Sequence, residues 1–155
     1  MPKFNLECTS RFFNTAGNVN IASTAIGDVI VTIEQFSSPL SATMSGTIAG
    51  LLSLVGGAYT SIYTVATSPK LSISEKMTIA GGTFYGAAVP AAVAATCWLV
   101  EGAPDPLLAF TLVNGVLSGV NKGISTLINN KLQNNRLQED EKNPLFIPSP
   151  RASYG

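Results

Sequence analysis

Three long stretches of this chain carry no charged residue, and that limits what it can fold into more than any other feature. No Asp, Glu, Lys or Arg occurs from Gln35 to Pro69, from Met77 to Val100, or from Leu107 to Asn121. A helix needs about 20 mostly apolar residues to cross a bilayer. The first two stretches meet that length, and the third meets it when Leu107 to Ile128 is read as one helix with Lys122 near its polar end. Backbone groups in lipid have no water to bond, so each segment must satisfy its own, and helix is the expected form. The expected fold is an all-α integral membrane protein with about three transmembrane helices, at 41–67, 77–100 and 107–128.

Composition agrees and excludes several functions. Charged residues make up 12% of the 155-residue chain, about half the ~25% usual for soluble domains. The mean hydropathy is +0.31. A formal net charge of zero and the lack of any basic run argue against nucleic acid as a partner. Histidine is absent, which removes imidazole-held haem, His-based metal sites and His-activated nucleophiles. Cys8 lies in the polar lead and Cys97 in a span, so no disulfide is expected, and Cys97 reads as apolar filler. No catalytic, cofactor-binding or metal site is expected, and no small-molecule substrate.

Residues 1–40 read as a polar segment with an amphipathic helix. Residues 1–13 combine Lys3 and Arg11 with Glu7 and lack an apolar run, so they do not read as a secretory signal. Val19, Ala22, Ile26, Val29, Ile30 and Ile33 then recur at helical spacing, with Asn18, Asn20, Ser23, Thr24, Asp28 and Thr32 between them. At about four turns, with Asp28 and Asn20 costly in lipid, this helix is expected at the interface or against the bundle. Residues 41–132 form the expected transmembrane bundle and 133–155 a polar, proline-rich tail. Lys70 and Lys76 in the first loop, and Lys122, Lys131 and Arg136 after the last span, place those segments on the cytoplasmic or matrix side.

The small residues are patterned. Gly46 and Gly50 are four apart, with Ser53 and Gly57 on the same face; Gly82, Gly86, Pro90 and Ala94 form a second ladder; Gly115, Gly119 and Gly123 form a third. Helices in lipid associate through close backbone approach, which glycine permits. These ladders are expected to pack against helices of the same chain or of partner subunits. Pro90 removes one backbone donor, frees the carbonyl of Gly86 and should kink its helix. In the tail, Phe146 and Tyr154 are apolar enough to serve as contacts for a partner.

Several of these elements resemble the mitochondrial inner-membrane translocase-channel family, and within it the branch of accessory subunits in the membrane arm of respiratory complex I. The likeness rests on Thr96-Cys97 closing an Ala/Gly-rich span, on the turn Asp105-Pro106-Leu107, and on Gly115 to Gly123 in the helix that follows. It covers roughly residues 42–125. That family has four spans, and Leu108 stands where an Asn often follows the turn. The resemblance implies a mitochondrial inner-membrane location and a non-catalytic accessory subunit supporting assembly or supercomplex contacts, with membrane-protein subunits and structural lipids as partners. The alternatives are a translocase channel subunit, or a small scaffold of an unrelated membrane complex.

Overall fold

The structure is a computed structural model describing residues 5–37, 40–67 and 70–142, the side chains of 42 and 140–142 excepted. These residues form four helices: α1 (Leu6–Phe36), α2 (Ala42–Ala66), α3 (Ile73–Leu99) and α4 (Pro106–Lys142). The expectations about residues 143–155, with Phe146 and Tyr154 as contacts, lie outside the described residues.

Each helix starts where its sequence offers a cap. Asn5 accepts from the backbone of Glu7 and Cys8, and Ser41 from that of Met44. Ser72 and Glu75 form a reciprocal capping box, which satisfies two otherwise orphaned donors. Asp105 Oδ1 accepts from Leu107 N at 2.8 Å and Leu108 N at 3.1 Å, with Pro106 at the first helical position, where its missing N–H costs nothing. Gly102 turns the chain between α3 and α4 with a φ of +79°, a value that favours glycine.

α1 differs from expectation. It begins at Leu6 and runs 31 residues, so it is not the short element that starting at Val19 implied. Four helices, rather than three, are long and apolar enough to cross a membrane. The polar residues that read as a lead, Ser10, Asn14 and Asn18, are bonded by side chains of α4. The helix therefore continues through them.

The bundle is polar inside and apolar outside. The buried residues include Asn20, Asn114, Asn121 and nine serines and threonines, against seven apolar residues from Ala16 to Phe110. Ile21, Ile26, Val29, Ile33, Leu51, Leu54, Ile62, Phe84, Leu112 and Val116 are exposed. In water this would leave far more apolar surface uncovered than a soluble monomer tolerates; in lipid it is the arrangement that solvation favours. On α1 the expected cost of Asn20 in lipid does not arise, because it is 0% exposed. α1 packs most extensively on α4, antiparallel, and next on α3, parallel.

Charge separates along the bundle. The end where α1 and α3 begin and α2 and α4 finish carries Arg11, Lys70, Lys76, Lys131 and Arg136. The opposite end carries Asp28, Glu34, Glu101 and Asp105 and, among the described residues, neither Lys nor Arg.

Candidate functional site

The distinctive site lies at the centre, where α1, α3 and α4 meet. Pro90 sits inside α3 and is buried. Lacking an N–H, it cannot bond the carbonyl four residues back, that of Gly86. Asn20 of α1 supplies the missing donor: its Nδ2 lies 2.8 Å from Gly86 O. The same Nδ2 donates to Asn114 Oδ1 at 2.8 Å, and Asn121 Nδ2 donates to Asn20 Oδ1 at 2.9 Å. Asn114 Nδ2 in turn bonds Phe110 O at 2.9 Å. One amide thus ties three helices, and each bond is strengthened by the absence of competing water. Four buried acceptor or hydroxyl oxygens have no partner among the described residues: Asn121 Oδ1, Ser23 Oγ, Thr111 Oγ1 and Ser45 Oγ.

Close helix approach makes this contact possible, and particular glycines permit it. A Cβ on Gly82 would lie 2.5 Å from Phe12 O, and one on Gly86 would lie 2.9 Å from Ala16 O and 3.1 Å from Ala16 Cα. Backbone meets backbone there, with no room for any side chain. Gly57 faces Thr83 and Ala87 across α2 and α3, and Ser53 Oγ donates to Ala87 O at 2.7 Å. Gly46 lies against the Trp98 ring at ordinary contact distance.

The remaining glycines of the ladders behave differently. Nothing lies within 4 Å of a Cβ built on Gly50, Gly119 or Gly123, and Gly115 meets only Thr24 Cγ2 at 3.9 Å. The third ladder is therefore an outward face of α4, not a seam inside the chain. Gly50 opens onto an apolar groove of about 330 Å³ between α2 and α3, with Ala91, Ala95 and Trp98.

Three residues in α1 escaped the sequence reading. Gly17 lies under the Lys122 stem, Gly27 under Thr111, and Asn20 is the hub. The signal was present: Ser10, Gly17, Asn20, Ser23 and Gly27 recur at intervals of three, four or seven. Its meaning depended on reading small and polar residues, rather than Ile and Val, as the buried face.

Between the first turns of α1 and the last turns of α4 lies a polar cleft of about 700 Å³, lined by Glu7, Ser10, Arg11, Asn14, Asn129 and Arg136 among others. Ser10 Oγ donates to Asn129 Oδ1 at 2.7 Å, and Ser125 Oγ donates to Ser10 O at 3.1 Å. Arg11 pairs with Glu75 at 3.1 Å, and Arg136 with Glu7. Among the described residues no three of Cys, Asp and Glu come together as metal ligands would.

These features define a class: a polytopic, all-helical membrane protein with a glycine-mediated, amide-locked core. Comparison with protein-family models, curated proteins and solved structures found nothing that matches this chain.

Proposed function

We propose that the protein is a non-catalytic structural subunit of a larger membrane assembly, a four-span bundle that presents α4 to other transmembrane helices. The observation that carries this is the outward ladder of Gly115, Gly119 and Gly123. Glycine disfavours a helix by about 1 kcal/mol relative to alanine. It offers lipid almost no side-chain surface, so a row of three on an outer face suits a second backbone better than acyl chains. The apolar flanks Leu112, Val116 and Val120 complete that face.

Charge separation supports four crossings. With α1 spanning, the basic residues of the described ends fall on one side and the acidic helix ends Asp28, Glu34, Glu101 and Asp105 on the other. The positive-inside rule then puts the start of α1 and the end of α4 inside. With α1 lying flat, Arg11 falls on the side opposite Lys70 and Lys76, against the rule. Side-selective labelling of Cys8 and of Ser37→Cys, in a Cys97→Ala background, checks this. Labelling from opposite sides is expected; labelling of both from one side sinks the four-span arrangement.

The specific assembly proposed is the membrane arm of respiratory complex I in the mitochondrial inner membrane. Its support is the resemblance over residues 42–125, together with a helix count that now equals that family's four. Native electrophoresis of detergent-solubilised membranes tests it. Co-migration with NADH dehydrogenase activity is expected. Co-migration with imported precursor would replace this assembly by a translocase, and migration as an isolated chain would overturn the subunit reading itself.

A further inference from the structure

The polar cleft at the basic end has no role in holding the bundle's centre, and its chemistry is that of a ligand site. At its inner edge Lys122 leaves α4 and lies over Gly17, with Cγ 3.0 Å from where a Cβ would stand. Its Nζ donates to Asn14 Oδ1 at 2.7 Å and to Asn18 Oδ1. Both partners are neutral. Among the described residues no carboxylate pairs with this ammonium, whereas Arg11 and Arg136 each have one. An ammonium has three donors, so one proton and a full positive charge remain for an anion.

Depth narrows the choice. Lys122 is 15 residues beyond Leu107, or about 22 Å along a helix axis. In a hydrocarbon core of about 30 Å a lysine of that depth reaches the headgroup layer by extending its stem. Arg11 and Arg136 are close by at the cleft's wall, and the Arg136–Glu7 pair is exposed at both partners. Exposed pairs are weakly held, so an incoming phosphate can take Glu7's place. Arg11, Lys122 and Arg136 against Glu7 and Glu75 leave the region with one net positive charge.

The geometry points to this cleft as a binding site for the phosphate of an anionic membrane phospholipid, seated on Lys122 with Arg11 and Arg136 beside it. The inference rests on the membrane reading but not on any partner protein. It fails separately, because Cys8 and Ser37→Cys labelling reports the span whether or not lipid binds.

The test uses the full chain in an uncharged detergent, with thermal unfolding followed by circular dichroism. Phosphatidylglycerol, phosphatidylcholine and inorganic phosphate are titrated in parallel. Phosphatidylglycerol is expected to raise the melting temperature saturably and above the effect of phosphatidylcholine. Lys122→Gln is expected to weaken that response about tenfold, the loss of one charge-assisted bond, while Lys122→Arg retains most of it and Lys131→Gln all of it. Equal responses to the two lipids, or an unchanged response in Lys122→Gln, would overturn the proposal. Inorganic phosphate reproducing the whole shift would assign the cleft to a free anion and overturn the lipid. Should Lys122→Gln not fold, the contrast between lipids and the Lys122→Arg and Lys131→Gln titrations still decide.

Discussion

Two sets of glycines with the same four-residue spacing do opposite things in this molecule. On α3, Gly82 and Gly86 sit where backbone of α1 comes within 3 Å of the position a Cβ would take. On α4, Gly119 and Gly123 have nothing within 4 Å. The first set is required by the fold of the single chain; the second is not. Spacing alone therefore tells that a helix face is smooth, and only the neighbours tell whether the chain uses that face itself.

The largest effect expected is at Gly86. Gly86→Leu would drive a side chain into the Ala16 backbone, which cannot yield as a flexible side chain can, and a loss of about 3 kcal/mol or more is expected. Thermal unfolding in detergent should show no cooperative transition near that of the parent. A well-folded Gly86→Leu protein would erase the distinction between the two sets. Asn20→Leu comes next. It leaves Gly86 O without a donor and breaks the bonds of Asn20 to Asn114 and Asn121, with an expected cost of about 1–3 kcal/mol. A melting temperature equal to the parent's would show the amide lock to be idle.

Gly119→Leu sharpens the contrast from the other side. With open space around it, the variant should keep the chain's stability within about 0.5 kcal/mol. It should nonetheless fail to enter its native-size complex on electrophoresis. Normal assembly would leave the outward ladder without a function. The smallest effect is expected at Arg136→Gln, which removes an exposed ion pair at the helix ends; no measurable change in melting temperature should follow.

Much of the architecture could be read from charge-free runs. The spans expected at 41–67 and 77–100 correspond to Ala42–Ala66 and Ile73–Leu99, because absence of charge over such lengths is a constraint that tertiary packing does not override. The freed Gly86 carbonyl followed from Pro90 alone. Its partner did not, since Asn20 lies 66 residues away and nothing local distinguishes a buried asparagine from a solvated one. α1 was harder for a related reason. Its polar residues face α4, and a moment-based reading assigns them to water until the facing Ser125, Asn129 and Lys122 are in place.

The amide bond from Asn20 to Gly86 also bears on how the chain enters a membrane. α1 is synthesised first and arrives in lipid with a bare carboxamide; α3 follows with a bare carbonyl. Alone, each carries an unmet polar group into hydrocarbon, and paired, each cures the other's. The stable inserted unit is therefore α1 with α3 rather than successive neighbours in the chain, so α1 must be held beside the insertion machinery until α3 emerges.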